Sequence, residues 1–349
     1  MQSLHKKNFL KFSDFTQLEI EKILNFSIFL KNKKNKNKEI QYLKNKNILL
    51  IFEKESTRTR CSFEVAASDQ GAYTSLIQPG DSHINDKESI QDSIYFFNRI
   101  YDGIQYRGKN HETVELMSKY SQIPIWNGLT ETFHPTQLLA DLLTIKEYTK
   151  NKEWNEITCA YIGDAKNNIC NTLLDAAGVI NFNLNIISPK NLSPNEKMLK
   201  ICKKKSNKIN GKILCTHEIQ EGIHNADFIY TDVWVSMNTP TIEWKNRINL
   251  LKKYQINKKN LSCAKKEVKI MHCLPSLHDM NTNIGKKIIK ENNLYGGIEI
   301  TDEIFQKNKK IIFDQAENRM HTIKSLIIST IKKIKIIKKK LKIQYLEII

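Results

Sequence analysis

Short apolar, β-rich runs alternate along the chain with segments of helical spacing. That order predicts an α/β fold with parallel sheets flanked by helices. In the first half, Asn47–Phe52 (NILLIF) reads as a buried strand, followed by a helix near Thr57–Gln70. Further strands are expected at Ala72–Ile77, Tyr101–Tyr106 and Ile123–Trp126, then a helix from Pro135 to Tyr148. The pattern restarts with a strand at Ile157–Ile162, the loop GDAKNN and a helix near Ile169–Gly178. Leu184–Ser188, Ala226–Tyr230 and Val268–His272 read as strands, residues 189–212 as a surface excursion, and Ala316–Leu341 as one long amphipathic helix. A polar stretch near Tyr148–Trp154 marks a domain boundary, giving units 1–148 and 149–315 and a C-terminal helix 316–349 with a basic extension. A length of 349 residues fits two domains, since single cores rarely grow past roughly 250–300 residues. Ligands of open α/β sheets bind beyond the carboxyl ends of strands, so the chemistry is expected in a cleft between the two domains.

Composition narrows the class. No apolar run approaches the roughly 18–20 residues that a membrane span needs, and the N-terminus MQSLHKKNFLKF lacks secretory features. No membrane association is expected, and a cytoplasmic location is. The seven cysteines are odd in number, scattered and without a CxxC pair, which argues against a disulfide framework and a zinc ribbon. The formal charge is +18. Its lysine clusters, at 31–38, 203–208, 252–259 and 332–342, fall in segments read as loops or solvent faces. They lack interleaved aromatics and any nucleic-acid motif, so they read as solvated surface rather than a nucleic-acid site. Such a surface would still attract a dianionic substrate.

Three first-half segments carry chemistry. Ser56-Thr57-Arg58-Thr59-Arg60 sits between a strand and a helix, where free N–H groups and guanidiniums suit a phosphate. It also reads as a capped helix with two surface arginines. Arg107 follows a strand in YDGIQYRG, and His134-Pro135-Thr136-Gln137 opens a helix. The arginine could be structural, and HPTQ could simply be a polar cap with Pro at the first helical position. In the second half, IGDAKNN, DVWVSM, MHCLP and DQAENRMHT each follow or open a predicted element.

STRTR, YRG and HPTQ, in this order and spacing, resemble the carbamoyl-phosphate domain of the aspartate/ornithine carbamoyltransferase family. The four second-half blocks resemble the ornithine-binding half of its ornithine-specific members, and the likeness runs from about Asn8 to Leu326. The resemblance implies a carbamoyl-phosphate-binding first domain and an ornithine-binding second domain, with the C-terminal helix packed back on the first. The implied reaction carries the carbamoyl group of carbamoyl phosphate to the side-chain amine of L-ornithine, giving L-citrulline and phosphate through a tetrahedral intermediate. It implies no cofactor and no metal, and a homotrimer with shared active sites, because the loop bearing His83 reaches a neighbouring subunit. By the same resemblance Ser56, Thr57, Arg58 and Thr59 bind phosphate, and His83 binds carbamoyl phosphate through a phosphate or carbonyl oxygen. Arg107, His134, Pro135, Thr136, Gln137, Cys273, Leu274 and Arg319 surround the carbamoyl group. Asn168, Asp232, Ser236 and Met237 hold ornithine, and Arg107, His134, Cys273 and Asp232 are the catalytic candidates.

His83 stands where many members carry Gln, and Asn238 where Gly is usual. His272 and Cys273, adjacent on a strand, should face opposite ways and not share one site. Two rivals remain open: a carbamoyltransferase using aspartate, putrescine or an acylated ornithine, and a non-catalytic basic nucleic-acid-binding protein on the same fold. A dinucleotide-dependent dehydrogenase is disfavoured by the missing GxGxxG.

Overall fold

The computed structural model describes residues 4–82, 84, 86–149, 152–235, 241–294, 296–339 and 342–348. The chain divides into two compact units, Met1–Leu143 with Glu317–Ile349, and Thr144–Ala316.

The first unit begins with α1 (Gln17–Asn35), opened by a capping box between Thr16 and Glu19. Then follow β1 (Asn47–Phe52), α2 (Thr57–Asp69), β2 (Tyr73–Ile77), α3 (Ile90–Ile100), β3 (Gly103–Arg107), α4 (His111–Tyr120), β4 (Ile125–Leu129) and α5 (Pro135–Thr149). The four strands pair in parallel in the order β2-β1-β3-β4. Every residue of β1 after Asn47 is buried, as a parallel strand covered on both faces requires. Leu49, Ile51, Ile104 and Tyr106 pack with Ile94 and Phe97 of α3 and Val114 and Met117 of α4.

The second unit holds β5 (Thr158–Ile162), α6 (Asn168–Ala177), β6 (Asn183–Ile187), α7 (Glu196–Lys208), β7 (Ile213–Thr216), α8 (Ile219–Ile223), β8 (Phe228–Thr231), α9 (Thr241–Leu251), β9 (Lys269–His272) and α10 (Asn283–Asn292). Its five parallel strands run β7-β6-β5-β8-β9. Ala160, Ile162, Ile229 and Ile270 form its core with Tyr254, Ile304 and Phe305. The helix α11 (Asp302–Ile331) starts in this unit and ends in the first, followed by a hairpin of β10 (Ile334–Lys339) and β11 (Lys342–Ile348). Among the described residues, no helix is long and apolar enough to cross a membrane.

Two expectations are corrected. The supposed excursion at 189–212 contains α7, capped by Asn195 accepting from Met198 N–H, with Cys202 and Ser206 turned inward four residues apart. The run of lysines conceals that narrow buried stripe. The long helix is shifted: it begins at Asp302 and stops at Ile331, and the basic tail continues as antiparallel strands. The isoleucines at 334, 336 and 337 are β-branched and favour extended backbone.

Candidate active site

In the first unit the strand order reverses between β1 and β3, and the segments leaving these neighbours diverge at the carboxyl edge. The segment after β1 enters α2 through Ser56, whose side chain makes no capping bond. The helix N-terminus is therefore left open to an anion. One turn in, the buried Thr59 hydroxyl receives Arg107 Nη1 at 3.0 Å and Arg319 Nη2 at 2.7 Å. A hydroxyl has two lone pairs and one proton. With both lone pairs taken by guanidiniums, the proton is left to donate to another oxygen.

Arg107 ends β3, and its Nε is buried without a partner among the described residues. Burial, then the charge of Arg58, pushes its guanidinium down to about 10, so it stays charged at neutral pH. Gly108 follows because a β-carbon there would collide with the Tyr106 hydroxyl and the Glu53 carboxylate, which already bond each other at 2.7 Å.

His134 is buried beside the first turn of α5, with Pro135 at the first helical position. Burial, then the charges of Arg319, Arg107 and Arg58, holds its imidazole well below the ordinary histidine range. The ring is neutral near pH 7. Gln137 donates Nε2 to Asp141 Oδ1 at 2.8 Å, which fixes the orientation of the amide. Its Oε1 is buried and accepts nothing among the described residues. Thr136 is buried and bonds inward to the Gly128 carbonyl at 3.4 Å, so it braces the turn. Arg60 departs from the expectation set by its neighbours: it is partly exposed and pairs with Glu64 at 2.9 Å on the outer face of α2.

In the second unit the order reverses between β5 and β8. Asp232 leaves β8, and its Oδ1 accepts from the Cys273 thiol at 2.9 Å and from Val233 N–H at 2.7 Å. Its Oδ2 accepts from Asn167 Nδ2 at 3.3 Å. Burial raises the Asp232 carboxyl above its ordinary value, opposed chiefly by the Cys273 bond. Asn168 is half-buried at the first position of α6, next to the capping Asn167.

Cys273 follows β9, and His272 faces away from it. Leu274 N–H donates to His272 Nδ1 at 3.0 Å, so Nε2 carries the proton and donates to the buried Glu299 at 3.1 Å. Glu299 also accepts from Ser276 Oγ and Leu277 N–H. This pins the turn in which Leu274 adopts a left-handed φ of 51°.

Within the first unit the structure thus gathers Ser56, Arg58, Thr59, Arg107, His134, Gln137 and Arg319, with Thr57 exposed at the mouth of α2. Within the second it gathers Asp232, Cys273 and the Asn167–Asn168 pair. His83, Ser236, Met237 and Asn238 lie outside the described residues. Sequence reasoning missed Asn167, Tyr161, Arg247 and Glu299. The first had a signal, since Asn before a helical run is a capping residue. Arg247 of α9 had none: it bonds Asp164 and the Trp234 carbonyl, partners distant in sequence or purely backbone.

Two doubly wound units, one carrying a cluster of arginines, hydroxyls and a neutral histidine and one a carboxylate–thiol cluster at its switch point, make this a two-domain α/β protein. Residues 7–147 match the carbamoyl-P binding domain and residues 155–330 the Asp/Orn binding domain of aspartate/ornithine carbamoyltransferase. The chain belongs to the aspartate/ornithine carbamoyltransferase family. It is 56% identical over 335 residues to the ornithine carbamoyltransferase of Buchnera aphidicola subsp. Baizongia pistaciae, covering 95% of this chain and 98% of that one. Among solved structures it is similar to ornithine carbamoyltransferase from Pyrococcus furiosus, with a TM-score of 0.84, 30% identity, and 95% and 99% of the two chains covered. It is also similar to the anabolic enzyme from Campylobacter jejuni, with a TM-score of 0.80, 32% identity, and 92% and 97% covered.

Proposed function

We propose that this chain transfers the carbamoyl group of carbamoyl phosphate to the side-chain amine of L-ornithine, giving L-citrulline and phosphate. The observation that carries the reading is the Thr59 hydroxyl, held between Arg107 and Arg319 within the field that keeps His134 neutral. Ser56, Thr57, Arg58 and Thr59 bind the phosphate, with backbone N–H groups of α2 and guanidinium charge neutralising it. His83 reaches the phosphate of a neighbouring subunit. Arg107, His134 and Thr59 donate to the carbamoyl oxygen. Gln137 Oε1 accepts from the carbamoyl NH₂, with Pro135 and Thr136 fixing the turn. Cys273, Leu274 and Arg319 complete the carbamoyl surroundings. Asn168, Asp232, Ser236 and Met237 hold ornithine.

The reaction needs the ornithine side-chain amine in its neutral form. Its lone pair attacks the carbamoyl carbon, a C–N bond forms, and charge develops on the carbonyl oxygen. The Arg107 guanidinium, the neutral His134 imidazole and the Thr59 hydroxyl stabilise that oxyanion. The C–O bond to phosphate then breaks, and the departing phosphate takes the electron pair and accepts the proton that the attacking nitrogen gives up. No covalent enzyme intermediate forms, and positioning of two substrates supplies most of the acceleration.

The same reading makes the protein a cytoplasmic homotrimer acting in arginine biosynthesis. Tyr73 of β2 and Tyr95, Phe96 and Ile100 of α3 are large apolar side chains left 46–67% exposed, as an assembly face would leave them. Sizing with light scattering should return three times the chain mass of 40.7 kDa.

The test is citrulline formation from carbamoyl phosphate and L-ornithine, with L-aspartate and putrescine in parallel and Arg58→Ala as control. Product from ornithine alone, lost in the control, is expected. Product from another acceptor would overturn the ornithine assignment, and no product from any acceptor would overturn the enzyme reading.

A further inference from the structure

Tyr161 lies on β5, is buried, and belongs to no motif used above. Its hydroxyl donates to the Asp164 carbonyl at 2.9 Å and accepts from Asn167 Nδ2 at 2.8 Å. The second hydrogen of that amide reaches Asp232 Oδ2 at 3.3 Å. The amide oxygen of Asn167 is committed to Cys170 N–H at 2.9 Å, capping α6. Both hydrogens of the Asn167 amide and one lone pair of its oxygen are therefore in use, and its orientation is determined. The oxygen must face the helix and the NH₂ must face both Tyr161 and Asp232.

One hydrogen-bonded line results: the Asp164 carbonyl, the Tyr161 hydroxyl, the Asn167 amide, Asp232 and the Cys273 thiol. Its first link rests on a rigid element. Tyr161 sits on the central strand β5, paired in register on both sides with Ile186 of β6 and Tyr230 of β8. The Asp164 side chain is anchored separately by Arg247 and by Lys166 N–H at 3.0 Å. The carboxylate at the other end follows β8 in a loop and has no such frame of its own. Its two oxygens are steered instead, one by Asn167, the other by Cys273 and Val233.

We propose that Tyr161 is a positioning residue for the amino-acid substrate: through the Asn167 amide it fixes which oxygen of Asp232 faces Cys273 and which faces Asn167. This rests on the reading that Asp232 holds ornithine. Removing the Tyr161 hydroxyl strands one Asn167 N–H and the Asp164 carbonyl in a buried setting, and the amide loses its shorter bond. The longer bond to Asp232 then loosens, while α6 stays capped.

The experiment is steady-state kinetics of the full-length enzyme with Tyr161→Phe, Asn167→Ser and the double variant. Serine keeps a capping oxygen but has no amide to reach Asp232. Tyr161→Phe is expected to raise KM for L-ornithine about tenfold, with KM for carbamoyl phosphate unchanged and the thermal midpoint lowered by no more than a few degrees. Because Tyr161 acts through Asn167, the double variant should be no worse than Asn167→Ser alone. An unchanged ornithine KM in Tyr161→Phe overturns the proposal. So do additive effects, which would mean independent roles, or equal rises in both KM values with a lowered midpoint, which would mean a purely structural one. Wild-type protein that makes no citrulline overturns it by removing the reading beneath it, a result separate from these.

Discussion

Arg319 donates to the hydroxyl of Thr59 at 2.7 Å, joining residues 260 positions apart in the chain. The bond ties α11 to the first turn of α2 within the first unit, and Arg107 reaches the same oxygen. Thr59→Val keeps the shape and deletes the hydroxyl. Both guanidiniums lose an acceptor, and the bound anion loses a donor. KM for carbamoyl phosphate should rise about 10- to 100-fold, at roughly 1.5–3 kcal/mol for a hydrogen bond to a charged group. Ornithine KM should change little. Kinetics with each substrate varied in turn checks the split, and a selective effect on ornithine would contradict the assignment.

His134 is held below its ordinary value of 6.5 by burial and by three arginines. Between its folded pKa and 6.5 the unfolded chain binds more protons than the folded one. Its contribution to stability is thus full above 6.5 and is lost as pH falls through that window toward the folded pKa. In histidine NMR spectra, assigned by comparison with His134→Asn, its ring resonance should not titrate between about pH 6 and 8, where an unperturbed histidine would. A midpoint near 6.5 would contradict both the burial of the ring and the arginine field around it.

The readable parts of this chain were those in which neighbours in sequence share an environment. NILLIF announces β1 because both its faces are covered. STRTR, YRG and HPTQ are legible because each is a contiguous segment leaving a strand or opening a helix. The four-residue β7 was too short, with two half-exposed positions, to stand out. Arg60 reads like Arg58, yet helical spacing carries it to Glu64. Glu299 looks like any surface glutamate until the fold places it against His272, 27 residues earlier. Tyr161 looks like core until its hydroxyl meets Asn167.

The His272–Glu299 pair is fully buried and pins the turn that carries Cys273. His272→Leu leaves Leu274 N–H without its acceptor and Glu299 without its imidazole donor. A loss of roughly 2–4 kcal/mol is expected, combining an unmade buried hydrogen bond with a weakened buried pair. Urea unfolding checks it. Because the turn also positions Cys273, turnover should fall even at temperatures where the variant remains folded. Full activity in a folded but destabilised variant would separate the turn from catalysis.

Lys324 is fully buried on α11 and donates to Glu39 and, at 2.7 Å, to Asp69, which also accepts from Lys34 at 2.5 Å. Burial alone would raise the Asp69 carboxyl, but the bonds from Lys324 and Lys34 outweigh it and hold it below 3.8. A carboxyl whose folded pKa is depressed contributes fully above its unfolded value and loses that contribution as pH falls through the folded one. Lys324→Met keeps the length of the side chain and removes the charge, leaving Glu39 and Asp69 close together without their shared cation. At neutral pH the variant should lose roughly 1–3 kcal/mol, less than the cost of breaking a fully buried pair, because Glu39 and Asp69 are only partly buried and Asp69 keeps Lys34. As pH falls below about 4 toward the depressed folded value of Asp69, the wild type loses that contribution and the gap should narrow. Urea midpoints at both pH values test this. Equal midpoints at neutral pH would mean that the buried cluster contributes nothing, and a gap that widens in acid would mean that the charge of Lys324 is not what binds it.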